Sequence, residues 1–253
     1  MDAGPHAIRV DTPAGWRVFG TVADLDLDFA SDDRPAVVTA LLAACAAPRD
    51  SAYWWSRSVG ERIAAILRLL VISTGVEALA LQARCRRPGC GELYEFELPL
   101  EPLLAQPRAG GAVRVHLDGE RMISLRPPCG RDLRAWRQWR GVPVGELRAR
   151  MLASLLIDGH AAADDEPAIA EALAAVDPLP GFAVDCPCPA CATASEVRVD
   201  LEALALGQLA RMQRALLREV HVFAGRYGWS EAQVFAVPPA RRMRYLAMIE
   251  AER

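Results

Sequence analysis

The chain has 253 residues, 52% of them hydrophobic and 24% charged, which is enough apolar material for a buried core and excludes a disordered chain. Its formal net charge of −3 excludes a global positive field that would gather nucleic acid. No run of about 18 apolar residues occurs (Arg68 breaks the longest candidate, at 63–72), and Met1-Asp2-Ala3-Gly4-Pro5-His6 lacks the features of a secretion signal, so a soluble, intracellular protein is expected.

Taken in order, strands are expected at 7–10 and 16–22, separated by the turn Thr12-Pro13-Ala14-Gly15. The acidic stretch 24–33 reads as a solvated loop without calcium-loop spacing. Pro35 suits the first turn of a helix over 35–46, with Val38, Leu41, Leu42 and Cys45 on one face. A second helix over 58–72 carries the stripe Ile63, Ile66, Leu67, Leu70 and Val71. Strands at 78–84 and 93–98 then flank a turn containing Cys85 and Cys90.

A similar order follows. Strands at 112–117 and 122–126 flank Asp118-Gly119, a hairpin turn. Arg131-Asp132-Leu133 opens a helical stretch around Trp136 and Trp139, and 146–157 and 166–175 are amphipathic helices. Strands at 182–185 and 196–201 flank a second turn, with Cys186, Cys188 and Cys191. Each half thus reads hairpin, helices, strand, cysteine turn, strand, which points to an internal duplication, the alternative being two α+β segments alike by chance. In the tail, Leu209, Met212, Leu216, Val220, Phe223 and Tyr227 form one helix face that Gly228 stops. Ser230-Glu231-Ala232-Gln233 is a capping-box pattern, Pro238-Pro239 interrupts, and 241–250 makes a last helix. The expected fold is α+β and predominantly helical. Its short β-hairpins form a zinc-ribbon-like clasp, and the parts are 1–104, 112–202 and a C-terminal helical hairpin over 203–253.

Seven cysteines in a reducing compartment read as buried thiols or metal ligands. Cys188-Pro189-Ala190-Cys191 has C-x2-C spacing, and Cys85 and Cys90 are C-x4-C with Gly91 following. Two such turns supply the four soft ligands that a tetrahedral structural zinc requires. Cys85, Cys90, Cys188 and Cys191 are the expected ligands, with Cys186 as the alternative. The competing reading is a set of buried free thiols. Cys45 and Cys129 read as core or incidental residues.

The histidines, His6, His116, His160 and His221, share no motif with a nucleophile, and no GxSxG, phosphate-binding glycine loop or HExxH occurs, so no enzyme is expected. A zinc ribbon invites a nucleic-acid-binding regulator as the alternative function, against which stands the acidic balance. Arg241, Arg242 and Arg244 read as a solvated face, or as a dock for an acidic partner.

Several stretches resemble a known family. They are Leu217-Arg218-Glu219-Val220-His221, Tyr227-Gly228-Trp229-Ser230-Glu231 and Pro239-Ala240-Arg241-Arg242-Met243-Arg244-Tyr245-Leu246, together with the Cys-Pro-Ala-Cys turn before Val199-Asp200-Leu201, Gly130-Arg131-Asp132-Leu133 and Gly60-Glu61-Arg62. The pattern is similar to the baseplate hub assembly chaperone family of T-even-like contractile phage tails and phage-tail-like contractile injection systems, from about Val37 onward. It departs at the first turn, where the family tends to carry C-P-x-C, and at Ala192, where glycine often follows. The resemblance implies a non-enzymatic assembly factor or structural component of the baseplate. It would act in the cytoplasm during assembly, on hub, spike or tape-measure proteins. Its partner-binding surface would lie on the tail, at His221, Tyr227, Trp229, Arg241, Arg242 and Tyr245.

Overall fold

In the computed structural model, residues 12–106, 111–117 and 121–251 are described; His6, the expected strand 7–10 and the Asp118-Gly119 turn lie outside them. At the centre is α3 (Val59–Thr74), buried on nearly every side from Val59 to Val71. A helix apolar all round needs neighbours on all sides. Here they are α1 (Arg34–Cys45) and the first half of α8 (Leu201–Tyr227). Leu41, Leu42, Ile66, Leu67, Leu69, Ala205 and Leu209 are fully buried between them. Ser58 and Glu61 form a capping box at the start of α3, and Gly75, left-handed at φ 71°, closes it.

The fold is α+β with short antiparallel hairpins and a C-terminal helical pair, as expected. Strands β1 (Ala78–Arg84) and β2 (Leu93–Pro99) pair from Ala78↔Pro99 to Arg84↔Leu93. β3 (Val113–His116) and β4 (Met122–Leu125) pair in a second sheet with β5 (Leu156–Asp158). β6 (Ala183–Pro187) and β7 (Ala194–Arg198) form the last hairpin. Between them run α4 (Glu101–Ala105), α5 (Gly130–Trp136), α6 (Val144–Leu155) and α7 (Glu166–Val176). The expected helix over 146–157 ends early, because the chain straightens at Leu156 to pair with β4. A short α2 (Ser51–Ser56), capped by Asp50, was not legible as a helix.

Two expectations near the N-terminus are corrected. Residues 16–22 form no strand: Phe19 is 1% exposed, and its amide donates to Ser73 Oγ at 2.9 Å instead of to a neighbouring strand. The stretch 24–33 is not simply solvated. It begins inside a 3-10 turn (Val22–Asp26), and Asp24 is fully buried. Asp24 accepts from both Arg17 Nη atoms, at 2.7 and 2.6 Å, and from the amides of Gly20 and Thr21, at 2.8 Å each.

Residues of β3, β4, α6 and α7 close a second, smaller core around Val113, Ile123, Leu125, Leu155 and Ile169. The expected division at 202/203 falls inside α8, whose Leu201, Ala205, Leu206 and Leu209 belong to the main core. The far half of α8 packs with α9 (Glu231–Ala236) and α10 (Pro239–Ala251) around Phe223, Val234 and Ile249. Three helices precede each cysteine hairpin, α1–α3 and α5–α7, but residues 16–22 supply no counterpart to the β3–β4 hairpin.

Candidate metal centre

The turns at the tips of the β1–β2 and β6–β7 hairpins face each other. Cys85 and Cys188 are buried and Cys90 and Cys191 half-buried, and all four Sγ atoms lie within 4.8 Å of one another. Cys85 and Cys191 are 3.7 Å apart at sulfur, and Cys90 and Cys188 are 3.8 Å apart. A tetrahedron with metal–sulfur bonds of about 2.3 Å has edges of about 3.8 Å, which these two separations match. The sulfurs are too far apart for disulfides, whose S–S bond is about 2.05 Å.

Backbone amides prepare these sulfurs for negative charge. The amide of Arg87 is directed at Cys85, that of Glu92 at Cys90 and that of Thr193 at Cys191, each two residues after its cysteine. The hydrogen bond shared with the Thr193 hydroxyl, 3.3 Å away, and that with the Thr193 amide pull the Cys191 thiol down to about 6. Against the Arg87 amide, burial and the neighbouring sulfurs push Cys85 up to about 12. Four thiols this close cannot all ionise together without a cation between them. Gly91, at φ 66°, and Ala192, at φ 55°, turn the chain left-handed straight after Cys90 and Cys191.

Cys186 stands outside this group of four. It is 6% exposed in the β6 strand, and its carbonyl accepts from Tyr94 Oη at 3.2 Å, tying the two hairpins beneath the sulfurs. Cys186 lies in β6 and Cys188 just beyond its end, and only Cys188, the expected ligand, falls within the group of four. Cys45 is buried, with its thiol pushed up to about 12 by burial and then by Asp24. Cys129 occupies the N-cap position of α5.

The tail residues divide. Phe223 stacks with Trp229 at 5.5 Å between centroids, and Tyr227 and Tyr245 complete an aromatic cluster around them. Tyr227 is 41% exposed, and His221 and Arg241 are exposed, while Trp229 and Tyr245 are half-buried. Arg242 is a correction: it is 5% exposed, with Nε 2.9 Å from Glu219 Oε2 and Nη1 on the Val237 carbonyl, so it holds α10 to α8 and faces no solvent.

Sequence reading missed Arg62, which is fully buried. Its Nη atoms donate to Thr39 Oγ1 (2.9 Å), the Trp54 carbonyl (2.7 Å) and the Pro35 carbonyl (2.8 Å). Gly130 lies against this guanidinium, where a Cβ would come 2.6 Å from Nη1. Gly60-Glu61-Arg62 and Gly130-Arg131-Asp132 therefore meet in space, joined by the Ser58↔Cys129 bridge. An arginine within the apolar run of α3 was the available signal.

Comparison with protein-family models, curated proteins and solved structures found no match. Among the described residues, no helix is long and apolar enough to cross a membrane.

Proposed function

We propose that this chain is a non-enzymatic scaffold whose two cysteine hairpins are clasped by one structural zinc, and that it serves as a baseplate or hub assembly factor of a contractile, phage-tail-like injection system. The zinc reading is carried by the mutual approach of Cys85, Cys90, Cys188 and Cys191 within 4.8 Å, with amides aimed at the sulfurs. Zinc would be held by four thiolates with no open position, so it would supply folding energy and no chemistry, on the order of 10 kcal/mol.

The assembly role rests on the sequence resemblance, and the packing of the tail supports it. Its tail stretches fold into one compact unit on α8, α9 and α10, on which Leu217, Tyr227, Met243, Met248, His221 and Arg241 are exposed. Apolar side chains exposed together on one unit mark a surface for a protein partner. Hub, spike or tape-measure proteins are the partners proposed. One observation favours the alternative of a nucleic-acid-binding zinc ribbon: Arg84, Arg86 and Arg87 are exposed around the first turn. A gel shift with DNA or RNA at low salt tests that alternative, and no binding dismisses it.

The test begins with metal analysis of freshly purified protein, where one zinc per chain is expected and less than half an equivalent overturns the clasp. Cys188→Ser should then unfold the chain instead of weakening one activity. For the assembly role, tagged chain recovered from its own cells should carry hub, spike or tape-measure proteins, identified by mass spectrometry. Tyr227→Ala with Arg241→Ala should lose them while keeping zinc and the folded state. Retention of those proteins by the folded double variant would refute the tail surface.

A further inference from the structure

We propose that the cleft between the start of α8 and the β6–β7 hairpin binds a basic side chain, arginine or lysine, presented by a segment of a partner protein. The cleft has a volume of about 700 Å³. Glu202, in the first turn of α8, lines it and is only 5% exposed. Its Oε1 lies 3.0 Å from Arg34 Nε, but its buried Oε2 has no hydrogen-bond partner. A carboxylate oxygen buried without a donor is costly, and the cost is recovered when a donor arrives.

The neighbouring cations do not supply that donor in this arrangement, although Arg62 Nε is also buried without an acceptor. The Nη atoms of Arg62 are spent on Thr39, Trp54 and Pro35, although its charge acts on Glu202. At the mouth, Arg34 Nη1 is 2.8 Å from Asp200, and Arg198 is 3.3 Å from Glu196. The lining thus holds three carboxylates, Glu196, Asp200 and Glu202, against two guanidiniums, Arg34 and Arg198, and the third cation that acts on Glu202 is Arg62, buried outside the lining. Burial pushes the Glu202 carboxyl up against the opposing pull of Arg34 and Arg62.

The walls specify the rest of the ligand. Val59 and Ile63 of α3, Leu133 and Trp136 of α5 and Phe182 before β6 line the cleft with apolar surface. Aliphatic stems of arginine and lysine lie along such surface while the charged head reaches a carboxylate. The volume exceeds what one side chain fills, so apolar neighbours in the same segment would occupy the remainder. That favours a protein segment over a free amine. The inference does not depend on the zinc or assembly readings, whose readouts are metal content and co-purification.

The test is calorimetric titration of the full chain with three probes: the capped tripeptide Leu-Arg-Leu, the same peptide with citrulline for arginine, and agmatine. Arginine peptide should bind at least tenfold more tightly than the citrulline peptide and more tightly than agmatine. Glu202→Gln should abolish the preference for arginine. Arg34→Ala, on the half-exposed rim, should tighten binding by releasing Oε1, and it decides the matter should Glu202→Gln fail to fold. Equal affinity for the two peptides, no binding of either, or an unchanged preference in folded Glu202→Gln overturns the proposal. Agmatine binding as tightly as the peptide would replace the protein segment with a small amine.

Discussion

Ala192 holds φ at 55°, and Gly91 holds φ at 66° at the equivalent place, directly after the last cysteine of each turn. A left-handed conformation costs an L-residue with a Cβ roughly 1–2 kcal/mol, and glycine escapes most of it. A Cβ at Gly91 meets nothing within 4 Å, so conformation alone separates the two residue types there. Ala192→Gly should therefore raise unfolding stability by about 1 kcal/mol and Gly91→Ala should lower it by a similar amount, read from urea midpoints at constant slope. An unchanged midpoint in both variants would refute the strain. The need for Gly91 was legible from its place after Cys90. The strain at Ala192 was legible only through the resemblance, in which glycine often stands at that place, because alanine itself carries no mark of the backbone it occupies. Spacing favoured Cys188 over Cys186 as the companion of Cys191, through C-x2-C, and left Cys186 as the alternative.

Helix α3 starts where three separate stretches converge. Ser58 and Glu61 cap it locally, and Asp177, at the end of α7, accepts from the Gly60 amide at 2.9 Å and from Ser58 Oγ at 3.2 Å. A Cβ on Gly60 would fall 1.6 Å from Asp177 Oδ1. Gly60→Ala should accordingly cost about 3 kcal/mol, by displacing a carboxylate from a helix start it helps to satisfy. The same change in an Asp177→Ala background should cost less, a coupling that a double-mutant cycle measures, and full additivity would refute the contact. The periodic apolar faces of α1, α3 and α8 were legible because period and burial agree. The six-residue α2 and the 155/156 break were not, because short elements depend on which neighbour they meet.

Across the whole molecule, α8 ties the first segment to the last. Gln213 Nε2 donates to the carbonyls of Asp24, Leu25 and Leu27 at 2.9, 3.1 and 2.8 Å, which seats the N-terminal turn against the long helix. Burial alone would raise the Asp24 carboxyl, but Arg17 and the amides of Thr21 and Gly20 hold it below the ordinary value. A carboxyl depressed on folding contributes stability that is present above its unfolded pKa, about 3.9, and is lost as pH falls through the folded value. Denaturant midpoints should therefore drop as pH falls below about 4. Asp24→Asn, which leaves Arg17 without its charge partner, should cost about 3 kcal/mol at neutral pH and flatten that acid dependence. An equal acid dependence in the variant would place the proton uptake elsewhere.

The residue order carried the longer helices, the two cysteine hairpins and the four candidate ligands, because period, turn chemistry and ligand spacing are local properties of a chain. Folding in three dimensions settled the rest. It brought Cys85 beside Cys191, kept Cys186 out of the group of four, buried Arg62 and Arg242 against partners on other elements and Asp24 against local ones, and left Glu202 with one carboxylate oxygen unpartnered at the side of a cleft. An arginine or a carboxylate looks the same in a sequence whether water or protein completes its hydrogen bonds. Only the packing of distant elements decides which of the two it meets.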